Sequence, residues 1–138
     1  MIVETMQVCD LLDDEADAIV AHLTNAGSEF REEVATRKTK DHRTPISLVI
    51  EEGTLVAWAC THQWRGMQTL EMFTAESQRR RRLATIATTV LVASSQFDFC
   101  ERRVVVFHPS SIAIARAAGC SDVVLYGRGA DGEWVMKT

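Results

Sequence analysis

Two hydrophobic periods alternate along the chain, and their order predicts its elements. Ile2-Val3-Glu4-Thr5-Met6 reads as a first strand. Leu12, Ala16, Ile19, Val20 and Leu23 then recur at helical spacing and share one face of a helix. Asp10 is placed to cap that helix, Asp13, Asp14 and Glu15 suit its positive first turn, and Gly27 suits its stop. Ser28 to Val34 reads as a second helix with Phe30 and Val34 as its apolar side, and the polar stretch from Thr36 to Thr44 reads as a loop.

The next segments switch to strand character. Pro45 opens Ile46-Ser47-Leu48-Val49-Ile50, Glu51-Glu52-Gly53-Thr54 is a turn, and Leu55 to Thr61 returns, which together read as a hairpin. Gly66 ends the following connection, and Met67 to Thr74 is read as one further strand. From about Arg80 to Ser95 the helical period returns in Leu83, Ile86, Ala87, Val90 and Leu91. Arg103 to Phe107 is almost wholly apolar, the signature of a strand buried on both faces. Pro109, with Ser110 or Ser111 as cap, starts a short helix that Gly119 stops. Val123 to Tyr126 and Glu133 to Met136 are two closing strands around a glycine-rich turn.

A chain of 138 residues is long enough for one domain with its own core, taken here as residues 1–138. Hydrophobic residues make up 46% and charged residues 25%, an ordinary globular balance. The net charge of −4 argues against a dedicated nucleic-acid binder, whose affinity rests on neutralising phosphates, and no recognition motif appears. Cys9, Cys60, Cys100 and Cys120 sit in or beside apolar segments, and neither they nor the four histidines show metal-ligand spacing. Reduced thiols and the absence of a basic-then-apolar N-terminal region fit a cytoplasmic setting, and no apolar run is long enough to predict a membrane span.

Charge is nevertheless uneven, with an acidic stretch from Val8 to Glu33 and Arg79-Arg80-Arg81-Arg82 at the junction of a strand and a helix. A helix start carries the positive end of the backbone dipole, so four cations there call for a counter-charge. The free N–H groups of such a start favour an anion, typically phosphate. A solvated basic face, paired with the chain's own acids, is the alternative.

The order of strand, two helices, three-strand meander, long helix, central strand, helix and two-strand hairpin resembles the GNAT acetyltransferase family along essentially the whole chain. That resemblance implies an α+β fold with a mixed, mostly antiparallel central sheet of about six to seven strands and helices on both faces. The family's phosphate loop reads Gln or Arg, two residues, Gly, one residue, then Gly or Ala. Arg79, Leu83 and Ala84 fit it, while Arg82 stands at the central glycine. By resemblance, the backbone of Arg79, Arg80, Arg81, Arg82, Leu83 and Ala84 wraps the pyrophosphate of acetyl-CoA, and Phe73 and Thr74 pair with its pantetheine arm. Counting back from Gly119-Cys120, the family's Asn position holds His108 and its Tyr position holds Ala115.

The activity so implied is acetyl transfer from acetyl-CoA to an amine acceptor. The amine must lose a proton, and Glu71, in the strand where the family often places a base, is the first candidate. His108 is the second titratable candidate, and Trp58 and Trp64 are candidates to line an acceptor pocket. The competing class is a GNAT-shaped protein that does not catalyse, resembling small phage proteins that include internal virion proteins. In that class the arginines meet a protein partner or DNA rather than coenzyme A.

Overall fold

The two periods read from the sequence become elements at almost every expected place, and the exceptions shape the site. The computed structural model describes residues 1–23, 28–75, 82–94 and 103–137. In chain order the elements are β1 (Ile2–Gln7), a 3-10 turn (Val8–Asp10), α1 (Asp13–His22), α2 (Ser28–Ala35), α3 (Arg37–Lys40), β2 (Pro45–Glu51), β3 (Thr54–Cys60), β4 (Gln63–Trp64), β5 (Met67–Gln68), β6 (Glu71–Thr74), α4 (Leu83–Ser94), β7 (Val104–Val106), α5 (Pro109–Ala117), β8 (Val123–Arg128) and β9 (Trp134–Lys137).

The fold is mixed α and β with largely antiparallel pairing, but the single sheet of about six to seven strands is not formed among the described residues. Instead β1-β2-β3-β6 form one antiparallel sheet, β7-β8-β9 a second, and β4-β5 a small ribbon. Within the second sheet β7 and β8 run parallel. The cause lies in Met67 to Thr74, which is not one strand. Arg65 and Gly66 both take positive φ, 51° and 75°, the geometry of a tight hairpin turn. That turn folds Met67–Gln68 back onto Gln63–Trp64, and only Glu71–Thr74 remains to pair with β3. The two larger sheets meet at one parallel bridge, Thr69 to Val105, where the Leu70 N–H donates to the Val105 carbonyl at 2.9 Å. Beyond it β6 follows β3, and the described residues form no further ladder between β6 and β7.

Strand alternation divides the core into two layers. Ile46, Leu48, Trp58 and Cys60 pack with Ile19, Phe30 and Val34 of α1 and α2. Val49, Ala57, Ala59 and Leu70 pack with Leu83, Ala87 and Leu91 of α4 and with Ala115 of α5. Helices therefore cover both faces of the four-stranded sheet.

The caps differ from the sequence reading. Asp10 lies in the 3-10 turn, and the N-cap of α1 is Leu12, whose N–H donates to Glu15 Oε1 at 2.9 Å. Ser110 and Ser111 lie inside α5, and its N-cap is His108, whose Nδ1 accepts from the Ser110 N–H at 3.2 Å. The stretch read as a loop from Thr36 to Thr44 contains α3. Helix α4 starts at Leu83, with Arg82 before it at φ 58°. A left-handed residue bearing Cβ costs roughly 1–2 kcal/mol, which glycine avoids. Gly27, Ser95 and Arg79 to Arg81 lie outside the described residues.

Candidate functional site

The register of β3 and β6 decides which side chains can act together. Cys60 pairs with Glu71, Ala59 with Met72, Trp58 with Phe73 and Ala57 with Thr74. Period-two alternation sends Trp58, Cys60, Glu71 and Phe73 to the face covered by α1 and α2. Glu71 is thus not a solvent-facing strand acid: its side chain is only 10% exposed.

Glu71 and His108, 37 positions apart in the chain, line one cavity of about 200 Å³. His22, Leu23 and Trp58 form its α1 side, Leu70 and Met72 continue from β6, and Phe107, Ser111 and Trp134 close it. The cavity lies where β6 and β7 part after the Thr69–Val105 bridge. His108 is oriented by its cap role, with Nδ1 2.7 Å from Ser110 Oγ, and its Nε2 makes no hydrogen bond among the described residues. Of the two tryptophans proposed as pocket walls, Trp58 is one. Trp64 instead packs edge-on against Phe107, Tyr126 and Trp134.

The residues expected to hold a cofactor are only partly brought to this place. Phe73 stacks on His22 at 3.7 Å and is an aromatic packing residue. Thr74 ends β6, and the β6 edge turned away from β3 has no strand partner among the described residues. Leu83, the first residue of α4, is buried in the core, Ala84 is half-buried and Arg82 is exposed. Arg79, Arg80 and Arg81 lie outside the described residues.

His22 completes the wall with an unusual proton requirement. Its Nδ1 accepts from the Trp58 indole N–H at 3.3 Å, so this nitrogen must be unprotonated. Burial lowers the His22 pKa below the ordinary imidazole range. Both effects favour the neutral ring in the folded chain. Stability is therefore full above about pH 6.5, where the ring is neutral in both states, and falls as pH drops, because the unfolded chain takes up the proton first. The loss is complete once pH is below the lowered folded value. Urea midpoints measured at about pH 7.5 and about pH 5 should show this decline, and His22→Gln should make it smaller. An equal decline in both proteins would remove His22 as its source.

A second group was not legible in the sequence. His62, buried and stacked on Phe30 with ring centroids 4.9 Å apart, faces Glu71, with Nε2 3.7 Å from Oε2. The buried Cys60 thiol lies with them, all three ligand-type atoms within 4.8 Å of one another. Burial pushes the Cys60 pKa well up, and the Glu71 and Glu33 carboxylates raise it further. No spacing rule finds this group, because only strand register brings Glu71 opposite Cys60. His62 also lines a second cavity, of about 340 Å³, with Phe30, Glu32, Glu33, Thr36, Lys40, His42, Thr44 and Gln63. There Glu33 accepts a short hydrogen bond from the Thr44 hydroxyl and lies 3.6 Å from His42 Nδ1.

Among the described residues no helix is long and apolar enough to cross a membrane. No protein-family model and no curated protein sequence matches the chain.

Proposed function

We propose that the protein is a GNAT-type acyltransferase that moves an acetyl group from acetyl-CoA to an amine held in the cavity between Glu71 and His108. One observation carries this reading: the two titratable residues chosen from the sequence line the same cavity, at the point where two sheets joined by one bridge diverge. The unpaired β6 edge at Phe73 and Thr74 supports it, since an extended pantetheine arm needs free backbone groups. The left-handed backbone of Arg82 supports it too, because the position that resembles the loop glycine adopts a conformation natural to glycine. In the reaction the amine nitrogen attacks the thioester carbon, its proton passes to Glu71, and the carbon–sulfur bond breaks as the new carbon–nitrogen bond forms. The departing thiolate takes a proton, for which His108 is the titratable group at the cavity.

A second reading is favoured by Ala115. The position resembling the family's tyrosine is wholly buried and carries no acid. Here the fold is kept as a binding scaffold, the virion-type role included, and the arginines serve a protein partner.

Calorimetric titration of acetyl-CoA into wild type and Arg82→Gly separates the two. Wild type is expected to bind, and the glycine variant to bind more tightly because the backbone approaches the pyrophosphate without a side chain in the way. Binding by the glycine variant alone makes the loop a vestige and supports the scaffold. If neither protein binds, the acyltransferase reading is wrong.

A further inference from the structure

We propose that Cys60, His62 and Glu71 form a binding site for a divalent metal ion of the zinc type. The site follows from strand geometry and register. Cys60 ends β3 and His62 lies two residues on, so an extended chain turns both side chains to one side, and register sets Glu71 directly across from Cys60. One sulfur, one nitrogen and one carboxylate oxygen then converge within 4.8 Å of one another.

The distances and proton positions call for a cation. The His62 Nε2 to Glu71 Oε2 separation of 3.7 Å is too long for a hydrogen bond. It is close to the spacing of two ligands on one ion, since zinc–nitrogen and zinc–oxygen bonds of roughly 2.0–2.2 Å set tetrahedral neighbours about 3.3–3.6 Å apart, and a small side-chain shift closes the difference. His62 Nδ1 lies 3.2 Å from the Gln63 carbonyl oxygen, which can only accept, so the Nδ1 proton points there. In the neutral ring Nε2 is then a lone pair facing a carboxylate. Neither Nε2 nor Glu71 Oε1 has a hydrogen-bond partner among the described residues, although both atoms are buried. Two buried acceptors facing each other are unfavourable, and a shared cation removes the conflict. Metal-bound histidines typically donate their other N–H to a carbonyl or carboxylate, as His62 does to Gln63.

Charge and ligand type select the ion. A thiolate and a carboxylate balance a divalent cation, and neutral imidazole leaves the buried site uncharged. Burial and nearby acids hold the proton on Cys60, so binding displaces that proton to solvent and forms a metal–sulfur bond. A sulfur, nitrogen and oxygen set favours zinc over magnesium or calcium, which prefer oxygen alone. Three protein ligands leave a fourth position open. His62 lines one of the two cavities and Glu71 the other, so the group lies between them.

The site does not rest on acyl transfer, and it is tested without acetyl-CoA. Chelator-treated full-length protein, kept reduced, is titrated with Co2+ and then with Zn2+. The expected result is one bound Co2+ with a thiolate-to-cobalt charge-transfer band that Zn2+ abolishes. Cys60→Ser should lose that band, and His62→Gln and Glu71→Gln should each weaken binding by more than about tenfold. Circular dichroism checks that each variant folds. For any variant that does not fold, the zinc-induced rise in melting temperature is compared between wild type and the remaining variants, and it should appear only in wild type. No cobalt uptake by wild type would overturn the proposal. Unchanged uptake and spectrum in Cys60→Ser would overturn it equally, by placing the ion elsewhere.

Discussion

Trp58→Ala is expected to lower the stability of the fold by about 3–5 kcal/mol, the largest loss from any single truncation at the cavity. Trp58 is 2% exposed and is among the largest fully buried side chains of the described residues. It lies in mid-β3, where alternation turns it onto α1 and α2. Its ring is tilted against Phe30 at 6.5 Å and stacked with Phe73 at 6.3 Å. Its indole N–H also serves His22 Nδ1. Truncation therefore opens a void between sheet and helices and strips His22 of its donor. Trp58→Phe separates the two effects, because most of the packing stays while the hydrogen bond goes, at a cost of about 0.5–1.5 kcal/mol for a bond to a partly exposed acceptor plus a share of lost volume. Urea unfolding with an unchanged slope measures both. A loss below about 1 kcal/mol for Trp58→Ala would mean that the ring does not hold α1 to the sheet.

How far the sequence could be read depended on how local the determining contacts are. Helix α1 was legible because Leu12, Ala16, Ile19, Val20 and Leu23 mark one face without outside help, and Ala16 and Ile19 are indeed buried. The β2–β3 hairpin was legible because Glu52 and Gly53 supply the positive φ angles, 50° and 77°, that its turn needs. Met67 to Thr74 is two strands rather than one, because a second tight turn at Arg65-Gly66 pairs Met67–Gln68 with Gln63–Trp64. The helix inside Thr36 to Thr44 was hidden by its polarity. Arg37 is buried there because it donates to the Leu11 and Val34 carbonyls and to Asp13, two of which are more than 20 residues away in the chain. At the site, Glu71 and His108 were found by type and position. Their common cavity depends on where two sheets part, and the Cys60–His62–Glu71 group depends on strand register, neither of which has a local signature.

On the proposed acyltransferase reading, Glu71→Gln reduces the turnover of acetyl transfer by about 10²–10⁴-fold, the usual share of a general base, while leaving acetyl-CoA binding nearly unchanged. Glutamine keeps the length and shape of glutamate, so the cavity wall that Glu71 forms with Leu70 and Met72 is preserved. What it loses is the ability to accept a proton from the amine. Release of free CoA is followed with a panel of amines, in the presence of a chelator, because a carboxylate committed to a metal ion cannot also take the amine proton. The same logic predicts that Zn2+ added to the chelated wild type lowers turnover and that Cys60→Ser, which keeps Glu71 but lacks the thiolate ligand, is less sensitive. Turnover by Glu71→Gln within about threefold of wild type would move the base to another group, with His108 of the same cavity the next to substitute. A loss of acetyl-CoA binding along with turnover would instead mark Glu71 as part of the wall that shapes the cofactor cleft, since removing a proton acceptor alone does not weaken the ground-state complex.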